Sequence, residues 1–263
     1  MTDRPAPPRL ERPSPLAFAL LVGAAALVLS SFQGVGFSLA ELWAGLPQMA
    51  RILGEMLPPA HDRWDRVLAS LIETFHMALA GTLLGVLLSV PLAVLACRAL
   101  TPSWPLRAAA RSLIALFRTV PDLVWALLFV VAVGLGPFAG TLALMVDTMG
   151  YAARFFAEAM EEQDKGPQEA LAAAGAPRSG LLMAAVLPAA LPSMVATSLF
   201  CLEKATRGGV VLGLVGAGGI GMELKVAMDL FNYAEAAASI LAILLLVVAV
   251  EQAAAALRRR IIG

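Results

Sequence analysis

Two carboxylates stand deep in apolar runs of this sequence: Asp147, midway along Phe138–Phe156, and Glu251, near the end of Ala236–Ala256. A charge in such a setting is costly and turns toward a bundle interior or water, so both are candidates for function. The structural alternative for Asp147 is an interhelical hydrogen bond or salt bridge. For Glu251 it is pairing with Arg258, or snorkelling to an interface. A third group, Glu203, Lys204 and Arg207, follows the run Gly180–Leu202. Glu203 and Arg207 are four residues apart, the spacing that pairs charges along one helix face. Gly216-Ala217-Gly218-Gly219-Ile220-Gly221 fits G-x-G-x-x-G. A dinucleotide site needs a preceding strand and a soluble βαβ unit, and a phosphate loop needs Gly-Lys-Ser/Thr; the surrounding residues offer none of these. The glycines instead allow close backbone approach, either in a gate or in a packing element. His61 and His76 have no second ligand at metal spacing, and no serine sits in a nucleophile elbow. Cys97 and Cys201, each isolated in an apolar run, read as small packing residues.

The composition says which elements must position these groups. Of 263 residues 60% are hydrophobic and only 14% charged, and the mean hydropathy is +0.82. Soluble domains are nearer half apolar and a quarter charged, so a water-soluble enzyme and a disordered chain are both excluded. The net charge is zero, which gives no electrostatic reason for a nucleic-acid partner. The expected class is an all-α membrane protein with about six transmembrane helices, each needing about 20 apolar residues. The runs are Leu16–Phe32, Thr74–Ala96, a stretch from Leu113 to the break Gly134-Leu135-Gly136-Pro137, then Phe138–Phe156, Gly180–Leu202 and Ala236–Ala256. They are continuous and lack the alternation of barrel strands. Leu16–Phe32 after a basic start also resembles a signal peptide, but no small-x-small cleavage site follows, so it reads as a retained helix. Thirteen Lys and Arg fall on one side of these spans and six on the other. Both termini are therefore expected in the cytoplasm. The organisation read from these runs is a cytoplasmic tail at 1–15, a first helix and extracytoplasmic segment at 16–66, a helical membrane domain at 67–257 and a basic tail at 258–263. Glu41–Arg66, with Trp43 and Trp64, fits either an interfacial segment or a contact with an outside protein.

The loop after the fourth run is too long for a turn and too polar for a bilayer. Glu158, Glu161, Glu162, Asp164 and Glu169 lie in it, and Gly166-Pro167 breaks it. Pro167 suits the first position of a new helix, so a short helix is expected over Gln168–Ala174, ended by Gly175. Its alanine-rich surface fits either a solvated loop helix or a helix docked in a partner's groove.

Glu169-Ala170-Leu171, three residues, Gly175, nine residues, then Ala185-Val186-Leu187-Pro188 resembles the EAA signature of ABC importer permeases. Leu171 and Ala185 are mild departures from it. A closer resemblance, to the phosphonate ABC transporter permease family, covers the chain from about residue 66. It is carried by Arg118–Ala126 (RTVPDLVWA), Gly134–Gly140 (GLGPFAG), Phe156–Glu161, Lys165–Leu171 and Val211–Gly221. Similar glycine strings occur in methionine-type importers, so the combination carries the subfamily. The chain has Asp147 where the family commonly has histidine. Of the family's Trp-Glu-x-Asn-x-Arg it keeps Glu203 and Arg207 only.

The resemblance implies a type I importer permease that performs no chemistry. Glu169, Ala170, Leu171, Gly175, Leu187 and Pro188 would couple it to a separate cytoplasmic ATPase dimer. ATP and Mg would be bound by that partner, with no cofactor in this chain. Further implied partners are a second permease chain (a copy or a paralogue), an extracytoplasmic substrate-binding protein and the lipid bilayer of a bacterial inner membrane. Asp147, Glu203, Arg207, Gly216, Gly218, Gly219 and Gly221 are candidates for the pathway or gate. Arg207, placed at the extracytoplasmic end of its helix, would meet an incoming anion or pair with Glu203. Phosphate, phosphite or another small solute are alternative cargoes. A channel or secondary carrier would have no reason for an EAA-type helix, and a membrane-embedded enzyme would need a polar cluster that the scattered Asp122, Asp147 and Arg154 do not provide.

Overall fold

The structure is a computed structural model that describes residues 14–60 and 62–262. His61 and the tail arginines Arg4, Arg9 and Arg12 lie outside the described residues. The chain divides into two compact units, residues 1–54 and 55–263.

In the first unit, α1 (Pro15–Gly34) begins at Ser14, whose side chain accepts a hydrogen bond from the Ala17 amide at 3.2 Å. Proline at the first helical position forfeits only an amide that had no partner there. The helix buries no residue within its unit, as expected of an apolar helix whose solvent is lipid. It is followed by α2 (Leu39–Glu55), which covers much of the segment to which the sequence assigns no element. Ser38 Oγ accepts from the Glu41 amide and starts it.

In the second unit, α3 (Trp64–Ala96) runs 33 residues, ten further toward its N-terminus than the apolar run suggests. Asp65, Arg66 and Glu73 mask that extension in the sequence. The third expected span is two helices, α4 (Trp104–Thr119) and α5 (Asp122–Val133), bent by 90° where Pro121 interrupts the ladder. Then come α6 (Pro137–Glu161), the short α7 (Lys165–Ala173), α8 (Arg178–Leu181), a π-turn at Leu182–Val186, α9 (Leu187–Gly213), α10 (Ile220–Asp229) and α11 (Tyr233–Ile262). The π-turn directly precedes Pro188, whose ring would collide with the Ala184 carbonyl in a regular α-turn and which has no amide to donate. Through this wide turn α8 and α9 form one 36-residue helix.

Four helices among the described residues are long and apolar enough to cross a membrane: α1, α3, the α8–α9 helix and α11; the bent pair α4–α5 makes a fifth if it is one span. The remaining expected run, Phe138–Phe156, forms α6, which at 25 residues is about 37 Å long. It is the centre of the bundle, packed against α3, α4, α5 and α9, so its sequence is small and mixed rather than uniformly apolar. Thirteen of its 25 residues are buried, most of them Ala or Gly. Hydrocarbon offers no hydrophobic drive between helices, so close contact depends on small residues. The α3–α6 seam shows this. A Cβ on Gly85 would lie 2.6 Å from Thr148 Cβ and 2.7 Å from the Met145 carbonyl, and one on Gly81 would lie 2.8 Å from Leu144 Cβ.

Candidate functional site

The polar groups of α6, α9 and α11 meet in a layer of three ion pairs. Asp147 stands midway along α6, and both its oxygens accept from Lys204 Nζ of α9 at 2.7 Å. The same ammonium lies 5.2 Å from the Tyr151 ring centre, a cation–π distance. Glu203 accepts from Arg258 of α11 at 2.9 Å. Arg207 of α9 pairs with Glu251 of α11. The carboxylates Asp147 and Glu203 are 15% and 14% exposed, whereas Lys204, Arg207 and Arg258 are 38% to 47% exposed. These two anions are thus held inward while the cations keep an open side.

This arrangement corrects the sequence reading in three ways. Arg207 pairs with Glu251 rather than Glu203, and Arg258 with Glu203 rather than Glu251. The antiparallel neighbours α9 and α11 bring partners across the helix gap, which overrides the spacing along one face. The group also does not sit at a helix end. Lys204 is level with the middle of α6, because α9 continues to Gly213, whereas the apolar run alone stops at Leu202. Lys204, which the sequence shows only beside Glu203 and Arg207, gains its place as a candidate through its pairing with Asp147. The signal is present in Asp147 itself, since a carboxylate inside an apolar run demands a cation from a neighbouring helix.

The glycine string forms the turn from α9 into α10. Gly216, Gly218 and Gly219 adopt φ of +90°, +80° and +72°, open to glycine at little cost. The turn is held from α3: Glu73 Oε1 accepts from the Gly219 amide and Thr74 Oγ1 from the Ile220 amide, each at 2.8 Å. Two side chains of another helix thus satisfy the first amides of α10, as a local cap would. The Gly136 amide donates to the Gly216 carbonyl at 3.0 Å, which ties this turn to the break between α5 and α6. A Cβ on Gly218 would lie 2.6 Å from Glu73 Oε1 and 2.9 Å from Pro137 N, and one on Gly213 would lie 2.7 Å from Gly221 Cα. The fit of G-x-G-x-x-G is therefore a close-packed helix–helix turn with a helix, not a strand, before it.

The polar loop carries α7. It starts at Lys165, three residues before the expected start, because Asp164 rather than Pro167 sets it: Asp164 Oδ1 accepts from the Gly166 amide at 3.0 Å. It ends in a Schellman arrangement, with the Ala176 amide on the Leu171 carbonyl and the Gly175 amide on the Ala172 carbonyl, both at 3.0 Å, and Gly175 at φ +81°. Glu169 is exposed, as is the alanine-rich stretch Ala172–Ala174, and Leu171 is half-buried. Leu187 and Pro188 lie beyond the π-turn at the start of α9, so one continuous helix joins the α7 loop to the ion-pair layer. Among the described residues, no group of three His, Cys, Asp or Glu could hold a metal ion.

Comparison with known proteins agrees with this architecture. Residues 81–263 match the family model described as the binding-protein-dependent transport system inner membrane component. The chain is 39% identical over 197 residues to the phosphite transport system permease protein PtxC of Stutzerimonas stutzeri, covering 75% of this chain and 72% of that protein. It is 40% identical over 192 residues to the phosphate-import permease protein PhnE of Mycolicibacterium smegmatis, covering 73% of this chain and 36% of that longer protein. The fold is similar to that of the MetNI methionine ABC transporter in an inward-facing conformation, with TM-score 0.67 and 23% identity, over 77% of this chain and 99% of that one. A helical bundle with a short helix in its polar loop, matched by the family model over most of its length, leads to one conclusion: the chain belongs to the family of inner membrane components of binding-protein-dependent transport systems.

Proposed function

We propose that this chain is the permease subunit of an ATP-driven importer whose cargo is a phosphorus oxyanion of the phosphite and phosphonate class. The ion-pair layer carries this reading. Lys204, Arg207 and Arg258 each hold a carboxylate and keep an open side. An oxyanion passing them exchanges for a carboxylate at each step, so no cation is left bare and none binds the cargo too tightly to release it. The name of the Stutzerimonas relative supports phosphite, and the motifs of the sequence support phosphonate. The name of the Mycolicibacterium relative supports phosphate as a second reading; the three anions share a tetrahedral, negatively charged head.

Two such chains would enclose the path, with both termini in the cytoplasm, and a soluble binding protein would deliver the anion from outside. α7 would dock on a separate ATPase that binds ATP and Mg. Closure of that ATPase would move α7 and, through the α8–α9 helix, bias the bundle between inward- and outward-facing states.

The test is ATPase activity of the assembled transporter in lipid, with and without a binding protein loaded with phosphite or a phosphonate. Stimulation by the loaded binding protein is expected, and Glu169→Ala with Gly175→Val should abolish it. If no ATPase co-purifies with the chain, an independent channel or carrier takes first place.

A further inference from the structure

A cavity of about 260 Å³ opens between α3, α4 and α6, away from the ion-pair layer. Three arginines line it: Arg111 and Arg118 of α4 and Arg154 of α6, with Glu158 and Glu161. Arg111 donates to Glu161 at 2.8 Å and to the Ala96 carbonyl at 2.9 Å. Arg154 donates to Glu158 at 2.7 Å. The Arg118 side chain has no hydrogen bond or ion pair with any described residue. The wall therefore carries three positive and two negative charges, and the unmatched one is Arg118. Its position is built: Gly150 of α6 leaves the space beside it, where a Cβ would lie 3.2 Å from Arg118 Cγ and 2.7 Å from Phe117 Cβ.

The geometry points to a second oxyanion site in this cavity, with Arg118 as its principal ligand and Arg154 and Arg111 beside it. Guanidinium groups suit such an ion because their planar forks match two oxygens of a phosphate-type head at once. Buried apolar Ile114 in the wall lowers the local dielectric and strengthens the attraction. The cavity lies below the roughly 300 Å³ at which sites for drug-sized molecules begin, so it fits a small head rather than a nucleotide. Asp147, Tyr151, Arg154 and Glu158 are spaced four, three and four residues apart on α6, one helix face. A polar stripe thus runs from the ion-pair layer to this cavity. By the charge bias of the loops the cavity lies toward the cytoplasm. A phosphorus oxyanion reaches it from two sources: as a free ion, or as the headgroup of an anionic phospholipid. The site does not depend on the identity of the cargo.

The full chain in phosphatidylcholine nanodiscs would be titrated with inorganic phosphate and with methylphosphonate. In parallel, native mass spectrometry would follow retention of phosphatidylglycerol. Saturable binding of the free ions, weakened about tenfold or more in Arg118→Gln, the loss expected for a charge-assisted hydrogen bond, assigns the free-ion source. Retention of phosphatidylglycerol that Arg118→Gln loses assigns the headgroup. In either case Arg118→Lys should keep part of the binding, Arg154→Gln should weaken it, and Arg63→Gln, at the other end of α3 from the cavity and paired with Glu235, should leave it unchanged. Both cavity arginines tested are exposed, and an unaltered thermal transition verifies folding. Equal binding by wild type and Arg118→Gln, or no saturable binding of either ligand, overturns the proposal.

Discussion

Asp147 is 15% exposed and Lys204 38%, and both oxygens of the one meet the ammonium of the other. Removing one partner of a fully buried pair costs about 3–5 kcal/mol; here solvent reaches the lysine, so Lys204→Met should cost about 1–3 kcal/mol. Asp147→Asn in the same background should recover much of that loss, because no bare carboxylate remains. A double-mutant cycle on thermal unfolding in detergent measures the coupling, and additive losses would mean that the two side chains do not interact. The cysteines give a second reading at this scale. Cys97 is fully buried, and burial pushes its thiol up, so both access and ionisation oppose reaction with maleimides. Cys201, 1% exposed, is shielded from reagents by the same burial.

Helices are legible in the sequence in proportion to how much lipid they face. α1, α3, the α8–α9 helix and α11 stand out as long apolar runs. α6 is visible as a run, yet its alanines and glycines record contact with protein on several sides, which no single run can show. α2 and α10 escape a search for apolar runs because each is short and amphipathic. The break in the third run escapes it because a proline inside a membrane helix is often tolerated, and Pro121 is not. The α7 loop is legible from Gly175 and its acidic composition, although Asp164 moves its start. The ion pairs are not, because 57 residues separate Lys204 from Asp147 and only packing brings them together. The α3–α6 seam is the element on which the bundle depends. Gly85→Val would drive a side chain into Thr148 and the Met145 carbonyl, and overpacking of this kind costs typically about 1–3 kcal/mol. A lowered thermal midpoint is expected, whereas Gly54→Val, open to space in this structure, should leave it unchanged.

At the scale of the whole molecule, the charge bias of the loops makes a claim about direction. Because both native cysteines are buried, single cysteines introduced at exposed positions report their own side of the membrane. Ala174→Cys and Arg259→Cys should react with an impermeant maleimide only when the cytoplasmic face is open to it, and Phe231→Cys only from the opposite face. The reverse pattern would invert the orientation and remove α7 from the reach of a cytoplasmic ATPase. The family model covers residues 81–263 and so begins inside α3, leaving α1 and α2 outside the part that it describes.

The π-turn at Leu182–Val186 has a consequence for timing along the helix as well as for its shape. It carries one residue more than a regular helix needs to cover the same rise, and each residue turns a helix by about 100°. The extra residue is taken up inside the wide turn rather than passed on, so the face that holds Lys204 and Arg207 keeps the phase of a regular helix one residue shorter. Deleting Ala184 should regularise the turn and leave Lys204 and Arg207 facing Asp147 and Glu251, whereas deleting Ala196, in the regular part of α9, should swing them away by about 100°. An Ala184 deletion that still transports, beside a folded Ala196 deletion that does not, would show that the wide turn protects the phase of these side chains.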